Sequence, residues 1–146
     1  MRAREGEALA GDMRSRLRTI REYRTAVAVR IPHVAQEAFD RMKARVEKLM
    51  GSEIPDGPRL SQELAIYADR GDITEELVRL DSHVIQFEQT LNHAESVGKT
   101  LDFLLQEMGR EVNTIGSKAN DAEIAGHVVL MKAELERIKE QVQNVE

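Results

Sequence analysis

Between Leu9 and Leu49 the apolar residues recur with helical spacing. Leu9, Met13, Leu17, Ile20, Val27, Ile31, Ala35, Ala38, Met42, Val46 and Leu49 stand three or four positions apart, with one gap over Arg24. That period predicts a single apolar stripe on one long helix, which reaches about 60 Å at ~1.5 Å per residue. Pro32 falls inside it. Because the stripe keeps its phase across the proline, a kink is expected rather than a break. The alternation in Val27-Ala28-Val29-Arg30-Ile31 also fits a short strand, but no strand partner is visible. Three shorter helices cannot cover so long a stripe. It is therefore expected to pair with itself across a subunit interface, or to pack on a domain outside this sequence.

The rest of the chain carries the same period in shorter pieces. GSEIPDGP, from Gly51 to Pro58, holds two of the three prolines and reads as a loop. Leu60, Leu64 and Tyr67 or Ala68 mark a short helix stopped at Gly71. Asp72 and Glu75 have the spacing of a capping box, opening a helix on Ile73, Leu77, Leu80, Val84, Phe87 and Leu91. Gly98 ends or redirects it. Leu101, Leu104, Leu105, Met108, Val112 and Ile115 form the next stripe, closed at Gly116. Asn120 with Glu123 is expected to cap the last helix, which runs on Ile124, Val128, Met131, Leu135, Ile138 and Val142. The fold class is all-α: a long kinked N-terminal helix and three to four shorter ones, in one helical-bundle or coiled-coil-like domain over 1–146 that forms an oligomer.

Composition narrows the chemistry. Cysteine is absent, which removes disulfides, thiolate metal sites and a cysteine nucleophile, and fits a reducing cytoplasm. Aromatic residues make up 3% and tryptophan is absent, so stacking-based recognition of nucleotide bases by an aromatic platform is not expected. The net charge of -5 argues against a generally basic coat, yet the charge is uneven. The first thirty positions hold eight arginines against four acids, with Arg14, Arg16, Arg18, Arg21 and Arg24 crowded together. They read either as a phosphate-contacting strip or as the charged flank of a coiled-coil seam. No apolar run approaches the ~18 residues of a membrane span, and the N-terminal residues lack a signal-peptide apolar segment.

Two segments concentrate polar groups. In ADRGDITEELVRLDSH, Asp72, Glu76, Arg79, His83 and Gln86 fall on one helical face. A carboxylate, a guanidinium and an imidazole in that arrangement can hold a metal, a phosphate and a transferable proton. In GKTLDFLLQEMGREVNTIGSK, Glu107, Arg110, Thr114 and Lys118 share a face, and Glu107 and Glu111 stand one turn apart. Paired carboxylates of this kind suit Mg²⁺ or Mn²⁺. If the two helices pack together, Glu76 or Asp72 can complete an oxygen ligand set from the neighbouring helix, as in carboxylate sites of helical bundles. Solvated Glu–Arg faces have the same spacing. Gly98-Lys99-Thr100 lacks the upstream glycine of a phosphate-binding loop, since His93 stands in its place. His33, His83, His93 and His127 show no metal-ligand spacing among themselves.

Four stretches, MRAREGEALAGDM, ELAIYADRGDITEELVRLDSHVIQF, GKTLDFLLQEMGREVNTIGSKANDAEI and MKAELERIKEQVQNVE, resemble the C-terminal half of the YicC/YloC family along essentially the whole chain. The resemblance implies a bacterial endoribonuclease that depends on a divalent cation and acts on single-stranded RNA. It also implies ring-like homo-oligomers, hexamers at full length, and a strand-rich N-terminal domain that this sequence does not contain. The family-like polar positions are Asp69, Arg70, Asp72, Glu75, Glu76, Arg79, His83, Asp102, Gln106, Glu107, Arg110, Glu111, Asn113, Thr114 and Lys118. Gly109 departs from the family, which tends to a polar residue there.

The reading is therefore a divalent-cation-dependent endoribonuclease, or the helical half of one. Catalytic candidates are Glu76, Arg79, His83 and Arg110. Cation ligands (Mn²⁺ or Mg²⁺) are Asp72, Glu76, Glu107 and Glu111, and RNA contacts are Arg14, Arg18, Arg21, Arg70, Arg79, Arg110 and Lys118. With His83 as general base, cleavage through the ribose 2′-OH needs no directly bound cation. The alternatives are a non-catalytic RNA-binding adaptor that serves a second ribonuclease, and an oligomerisation module.

Overall fold

The computed structural model describes residues 2–51, 57–93 and 97–145, and among them the chain forms five helices. They are α1 (Arg2–Met50), α2 (Gly57–Arg70), α3 (Thr74–Leu91), α4 (Gly98–Ala119) and α5 (Ala122–Val145). Residues 52–56 of the expected loop lie outside the described residues, and Gly57 and Pro58 already belong to the first turn of α2.

The 49 residues of α1 are continuous through Pro32, which also settles Val27–Ile31 as helix rather than strand. Proline removes one backbone donor from the ladder. Apolar packing on both sides of it, from Val27 and Ile31 before and Val34 after, holds the helical path.

The N-terminal part of α1 joins α3, α4 and α5 in an up-down-up-down four-helix bundle. Arg16 reaches Glu134 and Arg30 reaches Asp121, so α1 and α5 run antiparallel. Arg21 to Asp81 and Arg24 to the Leu77 carbonyl set α1 antiparallel to α3. Met13, Leu17, Ile20 and Val27 from α1 enter a core with Leu80, Val84 and Phe87 from α3, Leu101, Met108 and Ile115 from α4, and Ile124, Met131 and Ile138 from α5. Leu17 and Ile20 are fully buried within a single chain. The first half of the long stripe thus needs no subunit interface, contrary to the sequence-based expectation. One face of a four-helix bundle is enough to cover it.

Beyond Arg30, which meets residues at the start of α5, α1 continues past the bundle for roughly 27–30 Å at ~1.5 Å per residue. There α2 folds back on it, and together they make a helical arm. No residue of α2 is buried.

The joints are set by local chemistry. Asn120 ends α4 in the left-handed conformation (φ 45°, ψ 51°), which asparagine tolerates better than most residues. The cap of α5 is Asp121, not the expected Asn120–Glu123 pair: its carboxylate accepts the Ile124 N–H at 3.1 Å. Asp72 accepts from the Thr74 N–H and hydroxyl before α3, whereas Glu75 turns to Arg79 at 3.3 Å instead of closing the capping box. Gly98 begins α4, and Gly116 lies inside it. A Cβ on Gly116 would stand 3.1 Å from Val128 Cγ1, so this glycine permits the close approach of α4 and α5.

Candidate metal centre

The helical period places Glu76, Arg79 and His83 on the α3 side that faces α4, and Glu107, Glu111 and Lys118 on the facing side of α4. Antiparallel packing then pairs them in order: Glu76 with Lys118, Arg79 with Glu111, and His83 with Glu107 and Glu111. The result is a polar seam with one charge-compensated end and one donor-rich end.

At the compensated end, Lys118 Nζ donates to Glu76 Oε1 at 2.6 Å, and Arg79 Nη2 lies 3.8 Å from the same oxygen. Glu76 is only 2% exposed. Burial pushes its carboxyl upward, but the Lys118 bond, a backbone hydrogen bond and the charges of Lys118 and Arg79 together outweigh this, and the net direction is downward. Lys118 is shifted upward, first by its bond to Glu76. The second Glu76 oxygen is buried without a hydrogen-bond partner. Arg79 Nε donates to Glu111 Oε1 at 3.0 Å. Burial lowers the Arg79 guanidinium and the Glu111 bond raises it, with a net upward shift.

At the other end, one ligand atom each from His83, Glu107 and Glu111 lie within 4.8 Å of one another. Glu111 is 8% exposed. His83 Nδ1 is buried and has no hydrogen-bond partner. An imidazole and two carboxylates form a donor set suited to a divalent transition metal. Arg110 stands at the rim, 77% exposed, 3.6 Å from Glu107.

The structure brings together part of the expected ligand set and adds to it. Glu107 and Glu111 meet as the spacing implied. The side chain joining them from α3 is His83, whose role in the sequence reading was proton transfer. Glu76 is held by Lys118, and Asp72 is engaged as an Asx turn with Thr74, its carboxyl lowered first by the Thr74 hydroxyl. No histidine spacing within one helix reveals this arrangement, because its ligands come from two antiparallel helices.

The arginine strip of α1 mostly holds the bundle together. Arg14 donates to Asn92, Arg16 to Asp12 and Glu134, Arg21 to Asp81, and Arg24 to the Leu77 carbonyl. Asp12 also accepts from Gln141 of α5. Arg18 is exposed and makes no hydrogen bond or ion pair among the described residues. Arg70 and Lys118 both line a cleft between the arm and the bundle.

Among the described residues no helix is long and apolar enough to cross a membrane. The family model described as "Endoribonuclease YicC-like, C-terminal" matches residues 27–146. Two curated relatives, each named "Probable endoribonuclease YicC", align along the entire chain. The one from Clostridioides difficile (strain 630) is 42% identical and the one from Haemophilus influenzae (strain ATCC 51907 / DSM 11121 / KW20 / Rd) is 38% identical. The chain spans 50% of the length of each. The chain belongs to the YicC-like endoribonuclease family and corresponds to its C-terminal domain.

Proposed function

We propose that the chain is the helical half of a divalent-cation-dependent endoribonuclease acting on single-stranded RNA, with the cation held by His83, Glu107 and Glu111. The observation that carries this reading is the convergence of three ligand atoms, one each from His83, Glu107 and Glu111, across α3 and α4, at an imidazole whose buried Nδ1 has no hydrogen-bond partner. A bound Mn²⁺ or Mg²⁺ supplies Lewis acidity and a more acidic water. The chain's own groups do the rest. Arg79, anchored by Glu111 and Glu75, presents a guanidinium beside the carboxylates, and Arg110 at the rim offers a second. Both offset phosphate charge where it builds up during cleavage. Glu76 and Lys118 fix the register of α3 on α4 and so hold Arg79 in place.

The same buried nitrogen also supports a second reading, in which His83 takes the proton of the ribose 2′-OH and no cation is required. A labelled single-stranded RNA incubated with the protein in Mn²⁺ or in EDTA separates the two. Cleavage in Mn²⁺ alone supports the cation, and cleavage undiminished by EDTA supports His83 as base. Binding without cleavage in either condition gives the chain the role of an adaptor for another ribonuclease.

Homo-oligomerisation, hexameric at full length, belongs to the same proposal. Leu49 (78% exposed), Met50 and Ile66 leave apolar surface on the arm that this chain does not cover. A cytoplasmic location fits an RNA substrate and the absence of cysteine.

A further inference from the structure

Where the arm leaves the bundle, a cleft of about 510 Å³ opens between α1, α2 and the α4–α5 joint. Its volume lies within the ~300–1,000 Å³ range of small-molecule pockets. Ile31, Val34, Ala35 and Ile124 supply apolar lining, and Tyr67 supplies an aromatic side chain. Its charged lining is balanced: Arg70 and Lys118 against Asp69 and Asp72, with Lys118 and Asp72 already engaged by Glu76 and Thr74. A second hollow of about 260 Å³ adjoins it, lined by Ala38, Met42, Arg41 and Arg45, and shares Tyr67 and Asn120 with the cleft. Its two charged residues are both cationic. Arg45 makes no hydrogen bond or ion pair among the described residues. Arg41 feels only the longer-range field of Glu37 and Asp121, whose close partner is Arg30.

A charge-balanced, largely apolar cleft and a cationic hollow thus share one tyrosine. A nucleotide is divided in the same way, into a flat base and an anionic phosphate. We propose that this joint is a binding subsite for one nucleotide of a single-stranded RNA, with the base in the cleft against Tyr67 and the adjoining phosphates at Arg41 and Arg45. Lys118 lines the cleft and also pairs with Glu76 at the charge-compensated end of the α3–α4 seam, so the subsite lies at the end of that seam away from His83 and Glu107. The inference rests on the proposed RNA substrate and extends it to residues that the cation chemistry does not use.

The test is fluorescence anisotropy of a labelled single-stranded RNA on this chain in EDTA, over a range of salt. It is paired with photocrosslinking of a 4-thiouridine-containing RNA and mapping of the linked residue. The double variant Arg41→Ala/Arg45→Ala changes two exposed residues, and circular dichroism checks that helicity is kept. The expected outcome is weaker binding with a salt slope lowered by about 1.4, from ~0.7 for each lost single-strand phosphate contact. Tyr67→Leu weakens binding about tenfold, the scale of one base–aromatic stack. Tyr67→Phe retains it, and crosslinks map to Tyr67 or its cleft neighbours. If the wild type binds and cleaves RNA while these variants keep its affinity and slope, the subsite is overturned and the endoribonuclease reading stands. If the wild type neither binds nor cleaves RNA, both fall. If the variants change oligomer size at unchanged RNA affinity, the cleft belongs to a second copy and the proposal is overturned.

Discussion

Lys118 Nζ donates to Glu76 Oε1 across 2.6 Å, joining the C-terminal end of α4 to the N-terminal end of α3, and Glu76 is almost wholly removed from water. A buried carboxylate with one strong partner contributes little net stability as a pair, but removing that partner alone leaves a costly unpaired charge. Lys118→Met is therefore expected to destabilise the bundle more than Glu76→Gln does. Urea unfolding of the two variants at pH 7 checks the order, and a larger loss for Glu76→Gln contradicts it.

The same pair predicts a pH dependence. The Glu76 carboxyl is held below its ordinary value of 4.5 in the folded chain, and Asp121, first through its bond from Arg30, below 3.8. Where the folded value is depressed, the unfolded state binds more protons as pH falls. The stability these groups contribute is present above the ordinary carboxylate values and is lost as pH drops through the folded ones. Thermal unfolding between pH 7 and pH 3 is expected to show a smaller fall for Glu76→Gln than for the wild type. Equal falls contradict this.

The α4–α5 joint separates two roles of one side chain. Asp121 caps α5 and accepts from Arg30 at 3.0 Å. Asp121→Ala removes both, and the cap alone is worth about 0.5–2 kcal/mol. Asp121→Asn keeps a capping oxygen and loses the charge. Chemical denaturation is expected to show the smaller loss for asparagine.

Two glycines of α4 are expected to respond oppositely. Gly109 faces open space, so Gly109→Ala gains about 0.5–1 kcal/mol from helix propensity. At Gly116 the new methyl meets Val128, and the gain is reduced or reversed. In a Val128→Ala background Gly116→Ala recovers its gain, and a double-mutant cycle measures the coupling. Additivity between the two sites contradicts the close approach.

The helices themselves were legible because each buries one face, and burial imposes a 3.6-residue period on Leu77 to Phe87, Leu101 to Ile115 and Ile124 to Val142. Periodicity states which face is covered but not by what. That is why Leu17 and Ile20 pointed to a subunit interface and are covered instead by α3, α4 and α5. Charge runs are equally ambiguous: Arg16, Arg21 and Arg24 look like phosphate contacts until the helices they bond to are in place. Caps depend on backbone geometry at a single residue. Asn120 and Asp121 both fit the composition of a cap, and only the left-handed conformation of Asn120 assigns one to each helix. Glu107 and Glu111 are neighbours on one helix and were found together. His83 joins them from a helix running the other way, a relation set by packing register that no local spacing records.

The cation site is tested most directly by titrating Mn²⁺ into the chain and following free Mn²⁺ by electron paramagnetic resonance, without RNA. One site is expected in the wild type, weakened at least tenfold, about the smallest loss seen when even an outer-shell partner of a metal ligand is removed, in each of His83→Ala, Glu107→Gln and Glu111→Gln, with helicity unchanged. Wild-type affinity retained in all three variants, or no Mn²⁺ bound by the wild type, contradicts the metal centre.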